Sequence, residues 1–194
     1  TLALFIELLG ERVRTKQIHL VGVPTSHQTR ILARQQGIPI QDATDTEHID
    51  LAIDGADEID PVGNLIKGAG GAHVMEKLVA ACADRFMVVA DEAKLVRTLG
   101  ERFPIPVEVI APSVPFALRC LHALGGEPVL RCGPGKLGPV ISDLGNPIID
   151  VHFGVLRDPE RLNQDLNNIP GLVGHGLFLN MTHDIIVAKP PLED

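Results

Sequence analysis

Cysteine, basic residues and long apolar runs are all scarce in this sequence of 194 residues. Cys82, Cys120 and Cys132 form no Cys-x-x-Cys pair, so they indicate neither a disulfide framework nor a zinc site. The net charge of -8 argues against a nucleic-acid partner, because phosphate backbones bind to basic surfaces. No apolar run approaches the roughly 18 residues of a membrane span. The sequence therefore predicts a cytoplasmic protein with reduced thiols, no membrane partner, and room for a phosphorylated small molecule as ligand.

The first half of the sequence alternates apolar runs with helical patterns. Apolar runs at 18–23, 49–53 and 86–90 are separated by helical patterns at 29–36 and 72–86. Strands separated by helices predict a parallel sheet, and such sheets bind ligands at the carboxyl ends of their strands. The expected fold class is therefore α/β, with a Rossmann-like parallel sheet.

The pattern changes near Pro104. From there the order is strand, helix, strand, strand, helix and strand, which is typical of a ferredoxin-like α+β subdomain. The apolar run 185–188 is expected to rejoin the first sheet. We predict a Rossmann-like catalytic domain of residues 1–103 and 175–194, and a ferredoxin-like subdomain of residues 104–174.

Acidic residues, a lysine and a glycine-rich loop follow one another closely after the second apolar run. In chain order they are Asp54, Asp57, Lys67, the loop Gly68-Ala69-Gly70-Gly71, and Glu76 in the helical pattern that follows. Carboxylates and a cation around a loop rich in backbone N–H groups suit proton transfer on a small anionic or hydroxylated substrate. This segment is the candidate catalytic site.

Each part of this segment also has an interpretation without chemistry. Asp54-Gly55 is a common turn dipeptide, and paired carboxylates would also suit Mg²⁺. The glycine loop matches neither a P-loop nor a dinucleotide fingerprint, and a helical glutamate is usually solvated. The eight histidines show no metal-ligand spacing and are interpreted as structural or solvated. Because the aspartates, Lys67 and Glu76 are all expected at the ligand-binding edge of the sheet, we favour a partly buried Glu76 that acts as a base.

Taken in order, several segments resemble ribose-5-phosphate isomerase of the A type. They are residues 54–58, 67–71, 76–77, 91–96, 104–110, 145–152, 169–173 and 176–178. The resemblance implies interconversion of D-ribose 5-phosphate and D-ribulose 5-phosphate through an enediol, in the non-oxidative pentose phosphate pathway. It implies neither a metal nor a cofactor, and it implies a homodimer or homotetramer.

The resemblance also assigns roles by position. It implies that Glu76 is the general base between C1 and C2, and that Asp54 assists ring opening and hydroxyl proton transfer. Asp57 matches a neighbouring polar contact. Lys67 and the N–H groups of the glycine loop match the group that stabilises the enediolate oxygen, and Lys94 matches a phosphate contact.

One departure from the family concerns the phosphate site. The family's early strand and its Gly-rich, Ser/Thr-containing phosphate loop have no counterpart here, and Thr1 matches the last residue of that loop. We expect that an N-terminal segment is missing from this sequence rather than that the phosphate site is defective. Thr25 and Ser26 are expected to provide further contacts to the substrate's phosphate or hydroxyl groups.

Two other function classes stay open at this point. A non-catalytic sugar-phosphate sensor would share the α/β domain, but it would not need Glu76 together with Lys67. An enzyme similar to the coenzyme A transferases would use a glutamate as acyl nucleophile, but the short chain and the ferredoxin-like segment argue against it.

Overall fold

The computed structural model describes residues 2–135 and 137–188. Its α-helices are α1 (Leu2–Arg14), α2 (His27–Gln35), α3 (His73–Cys82), α4 (Val114–Ala123) and α5 (Pro159–Asn167). Its strands are β1 (Ile49–Asp54), β2 (Glu58–Ile59), β3 (Leu65–Ile66), β4 (Ala83–Asp91), β5 (Ile105–Val109), β6 (Glu127–Leu130), β7 (Ile148–His152), β8 (Leu172–His175), β9 (Leu177–Phe178) and β10 (Asp184–Ala188). None of the described helices is long and apolar enough to cross a membrane.

A parallel sheet of the order β1-β4-β10 forms the centre of the first half. β1 lies beside β4 in a register that pairs Asp54 with Val88, and α3 packs on both strands. β10 lies on the other side of β4, so the apolar run 185–188 rejoins this sheet as the sequence predicts. The core below the sheet contains fully buried Phe86 and Val88.

The predicted buried strand at 18–23 is wrong. Only Gly22 of this run forms a bridge, with Ile40, and Val21 is exposed. The run does not pair with β1; instead, Leu20 and Ile40 pack against the small cluster between α1 and α2. An apolar run therefore need not form a strand. Here the run packs through its side chains and does not join a ladder of strand hydrogen bonds.

The second half forms an antiparallel sheet of the order β6-β7-β5-β8. Together with α4 and α5 it follows the strand-helix-strand-strand-helix-strand order of a ferredoxin-like unit, which confirms the predicted fold class. Val107, Ile149, Leu121 and Leu166 are fully buried in its core. The division into residues 1–103 with 175–194 and residues 104–174 stays a prediction, and residues 189–194 lie outside the described part of the chain.

A third, small sheet of the order β2-β3-β9 positions the candidate site. Its strands have two residues each, so their stability comes from burial rather than from pairing alone. Leu65, Ile66 and Phe178 are fully buried, and the ring centroid of Phe178 lies 6.4 Å from that of Phe86. β3 therefore delivers the next residue, Lys67, into the interior of the protein.

Candidate active site

The candidate site lies where β1 and β3 end and α3 begins. Asp54 is the last residue of β1, and Lys67 follows β3, where its backbone N–H donates to the carbonyl oxygen of Gly176 at 2.8 Å. Glu76 lies in the first turn of α3. Three separate elements therefore each contribute one charged side chain, at the edge of the parallel sheet where ligands bind.

The Lys67 ammonium connects the two carboxylates. It donates to Asp54 Oδ2 at 2.8 Å and to the carbonyl oxygen of Gly55 at 2.6 Å, and it lies 3.1 Å from Glu76 Oε2. The side chain of Lys67 is only 3% exposed, while those of Asp54 and Glu76 are 16% and 15% exposed. The structure thus brings Asp54, Lys67 and Glu76 together, with each carboxylate still reachable from solvent.

Burial and charge set the protonation of this trio. Burial lowers the pKa of Lys67, but the charges of Glu76 and Asp54 outweigh it and raise that pKa above its usual value. Burial raises the pKa of Glu76; Lys67 opposes this shift and Asp54 adds to it. Lys67 is therefore a permanent cation, and Glu76 is a stronger base than an ordinary carboxylate.

The glycine loop, defined as residues 68–71, contains two glycines, Gly68 and Gly71, whose backbone conformation other residues cannot adopt without strain. Gly68 has a φ of 105°, and a Cβ there would lie 2.7 Å from the Cβ of His73. Gly71 has a φ of 81°, and its N–H donates to the carbonyl oxygen of Gly68 at 2.9 Å. The loop ends directly before α3, whose first N–H groups have no partner within the helix and favour negative charge.

Asp57 holds the glycine loop on one side. Its Oδ2 accepts a hydrogen bond from the N–H of Ala69 at 2.9 Å. The neighbouring carboxylate of Glu58 is used differently, since it is fully buried and accepts from the backbone N–H groups of Gly100, Arg102 and Phe103. In residues 2–135 and 137–188, no group of three His, Cys, Asp or Glu side chains is placed to hold a metal ion.

Two cavities open on either side of the glycine loop. The larger, of about 320 Å³, is lined by Glu76, Gly70, Gly71, Ser26 and Ser142 among others. The smaller, of about 200 Å³, is lined by Asp57, Ala69, Phe103, Arg131 and Asp150 among others. The loop and its flanking carboxylates can therefore contact one small polar ligand.

Behind Lys67 lies a second, half-buried lysine. The ring of Phe178 has Lys67 Nζ at 5.4 Å and Lys77 Nζ at 5.0 Å from its centroid. Lys77 donates to the carbonyl oxygen of Leu177 at 2.9 Å, and burial lowers its pKa to about 8. Burial also lowers the pKa of His73 to about 3. Behind the site, Lys77 and His73 therefore carry less positive charge than the same side chains would carry in water.

The comparisons with known proteins decide the family. The family model of ribose 5-phosphate isomerase A (phosphoriboisomerase A) matches residues 21–191. The chain belongs to the ribose 5-phosphate isomerase A family. It is 50% identical over 190 residues to ribose-5-phosphate isomerase A of Thermosynechococcus vestitus, and the match covers 97% of this chain and 80% of the relative.

Two solved structures show the same fold. A D-ribose-5-phosphate isomerase in complex with phospho-erythronic acid superposes with a TM-score of 0.94 and 43% identity, covering 96% of this chain and 82% of that chain. Ribose 5-phosphate isomerase A of Methanocaldococcus jannaschii superposes with a TM-score of 0.91 and 46% identity, covering 95% and 81%. The α/β architecture of the ribose 5-phosphate isomerase A family therefore extends over nearly the whole of this chain.

The remaining residues that the family resemblance singled out lie outside the Lys67 trio. Lys94 has its Nζ 4.9 Å from the ring centroid of Phe103, which lines the smaller cavity. Ser26 caps α2 by accepting from the N–H of Thr29 and lines the larger cavity, and Thr25 is half-buried before it. Thr1 lies outside the described residues.

The sequence analysis assigned no role at the site to several residues around it, although Asp150 and Phe178 lie in segments that resemble the family. Arg131, held by Asp150, reaches the glycine loop from the antiparallel sheet. His73 and Phe178 pack beneath Gly68 and Lys67. Their positions depend on contacts between distant elements, so a pattern of neighbouring residues could not have indicated them.

Proposed function

We propose that this protein interconverts D-ribose 5-phosphate and D-ribulose 5-phosphate through an enediol. Family membership supports the reaction, as does the solved relative that binds phospho-erythronic acid. The observation that carries the proposal is the Lys67 ammonium, which lies 2.8 Å from Asp54 Oδ2 and 3.1 Å from Glu76 Oε2 beside the glycine loop. This arrangement unites a base with a cation at the place where an oxyanion forms.

The reaction begins when Glu76 removes the proton from C2 of the open-chain aldose. The electrons of the broken C–H bond form the C1=C2 double bond, and negative charge develops on the oxygen of C1. Lys67 and the loop N–H groups stabilise this charge, because fixed donors in a buried site need no reorganisation. The raised pKa of Glu76 brings the base closer to the working pH.

The second half of the reaction returns the proton. Asp54 moves the proton of the C2 hydroxyl toward the C1 oxygen, and Glu76 gives its proton to C1, so that the ketose forms without net loss of atoms or electrons. Asp54 also assists ring opening. Asp57 contacts a substrate hydroxyl while it holds Ala69.

We assign the substrate's phosphate and hydroxyl groups to cations and hydroxyl side chains around the two cavities. Lys94 packs over the ring of Phe103, which lines the smaller cavity. Ser26 lines the larger cavity. Thr1 and Thr25 complete the set of substrate contacts that the sequence predicts. The protein acts in the cytoplasm as a homodimer or homotetramer, in the non-oxidative pentose phosphate pathway.

The reaction is tested by an assay that detects ribulose 5-phosphate formed from ribose 5-phosphate. Wild type is expected to turn over, and Glu76→Gln to lose about 10²–10⁴-fold in kcat with KM nearly unchanged, because one positioned base contributes this much. Glu160→Gln, on the exposed side of α5, is the matched control and is expected to keep wild-type rates.

The same assay, run beside a binding measurement and an acyl-transfer assay, separates the other two function classes. Binding of ribose 5-phosphate by wild type without any turnover would indicate a sensor. Transfer of an acyl group from coenzyme A in place of isomerisation would indicate a transferase. Near-normal turnover of Glu76→Gln would remove Glu76 from the role of base.

A further inference from the structure

Arg131 connects the antiparallel sheet to the glycine loop. It follows directly after β6, and its guanidinium is held by Asp150 of β7 through two hydrogen bonds, from Nε at 2.8 Å and from Nη2 at 2.5 Å. Its third nitrogen, Nη1, donates to the carbonyl oxygens of Gly68 and Ala69, both at 3.1 Å. Because a guanidinium is planar and rigid, fixing two nitrogens on Asp150 also fixes the direction of the third.

The two carbonyl contacts determine which way two peptide units face. In a trans peptide the C=O and N–H bonds point in opposite directions. The unit joining Gly68 and Ala69 is held at both ends, since its C=O accepts from Arg131 and its N–H donates to Asp57 Oδ2. The next unit has its C=O on Arg131, so the N–H of Gly70 must point away from Arg131.

The direction of the Gly70 N–H matters because of where Gly70 lies. It lines the larger cavity together with Glu76, and a Cβ atom added to Gly70 would meet no atom within 4 Å. Packing therefore does not fix this part of the loop, and the hydrogen bonds from Arg131 do. A guanidinium on the carbonyl oxygens also polarises the peptide units, which makes their N–H groups better donors.

We propose that Arg131, oriented by Asp150, is a positioning residue that aims the Gly70 N–H at the oxygen on which negative charge develops. The proposal rests on the proposed isomerase function and adds a residue to it. Arg131 itself is not a phosphate ligand in this account, because Asp150 neutralises its charge and its side chain is only 14% exposed. Its effect passes through the backbone of the loop.

The test compares Arg131→Lys and Arg131→Ala with wild type. We expect kcat to fall by about 10–100-fold, since one displaced oxyanion donor has an effect of this order, while KM for ribose 5-phosphate changes less than about threefold. Affinity for phospho-erythronic acid, whose carboxylate resembles the charged enediolate, is expected to fall by the same factor as kcat. Guanidinium ion at millimolar concentration is expected to restore part of the kcat of Arg131→Ala.

The matched control is Arg161→Lys, because Arg161 also pairs with an aspartate, at 3.0 Å, but on the exposed face of α5. It is expected to keep wild-type kcat and wild-type affinity for phospho-erythronic acid. Should Arg131→Ala fail to fold, Arg131→Lys decides, since it keeps the charge and the aliphatic stem but loses the fork that reaches both carbonyl oxygens. A folded Arg131→Lys with wild-type kcat, or with kcat and substrate affinity lowered equally, overturns the proposal.

A readout independent of turnover separates this proposal from the isomerase function. Hydrogen exchange of the backbone amides at 68–71, followed by mass spectrometry, is expected to be faster in Arg131→Lys than in wild type and unchanged in Arg161→Lys. Unchanged exchange in Arg131→Lys overturns the proposal. A wild-type protein without isomerase activity overturns the proposed function instead, while the exchange rates still report on the loop.

Discussion

Replacing Lys67 by methionine removes the charge that two half-buried carboxylates share. Lys67 Nζ lies 2.8 Å from Asp54 Oδ2 and 3.1 Å from Glu76 Oε2, and the lysine is 3% exposed. Leaving both carboxylates ionised without it would cost about 3–5 kcal/mol. Because Lys67 is the group that lowers the pKa of Glu76, that pKa must rise further in Lys67→Met, and Glu76 takes up its proton at a higher pH than in wild type.

Two losses therefore combine in this variant. The missing oxyanion donor is expected to lower kcat by about 10²–10³-fold at a pH where Glu76 is ionised. The loss is expected to grow toward lower pH, because more of the base is protonated there. The assay is kcat/KM for ribose 5-phosphate between about pH 5.5 and 9.5, in which the acid limb of Lys67→Met is expected to move to higher pH.

The control for this experiment is Lys16→Met, which removes an exposed lysine far from the site in sequence and is expected to leave the profile unchanged. A Lys67→Met protein with kcat within about threefold of wild type would refute the assignment of Lys67 to the oxyanion. An acid limb at its wild-type position would refute the electrostatic coupling of Lys67 to Glu76.

Three further predictions concern stability. Gly68→Ala must place a Cβ 2.7 Å from that of His73 at a φ of 105°, and its Tm is expected to fall by about 3–10 °C; Gly70→Ala, which has open space, is expected to keep its Tm. Burial lowers the pKa of Lys77 to about 8. Between about pH 8 and 10.5 the unfolded chain therefore binds the Lys77 proton more tightly than the folded protein does. The free energy of unfolding is expected to rise with pH in this range, by up to about 3 kcal/mol. Urea unfolding of Lys77→Met is expected to show a flatter rise, and an identical pH dependence would contradict this account. Glu58→Gln puts an amide group against three backbone N–H donors and is expected to lose about 2–4 kcal/mol in urea unfolding, whereas an unchanged midpoint would contradict the role of Glu58.

The sequence indicated the parallel sheet and the candidate segment because both depend on neighbouring residues. The apolar run at 49–53 ends at Asp54, and the observed strand β1 ends there too. The same local reasoning failed at 18–23, where apolar residues pack through side chains and only Gly22 joins a bridge. Periodicity reports which residues are apolar, but it does not report which strand they meet.

The burial of Lys67 depends on contacts that local sequence cannot show. Its position follows from β2, β3 and β9, strands of two residues each, which are too short to produce an alternating pattern. Arg131 reaches Gly68 across 63 positions of the chain, and no motif links the two. The residue types of the site were therefore predictable from the sequence. The short strands and Arg131, which orient those residues, were not.

The central claim is that Glu76, beside Lys67, carries the proton between C1 and C2. Its most direct test is the exchange of the carbon-bound hydrogen of the substrate with solvent deuterium, followed by NMR during turnover in D2O. Wild type is expected to incorporate deuterium at the reacting carbon, and Glu76→Gln to incorporate none on the same time scale. Deuterium incorporation by Glu76→Gln at the wild-type rate would contradict the claim.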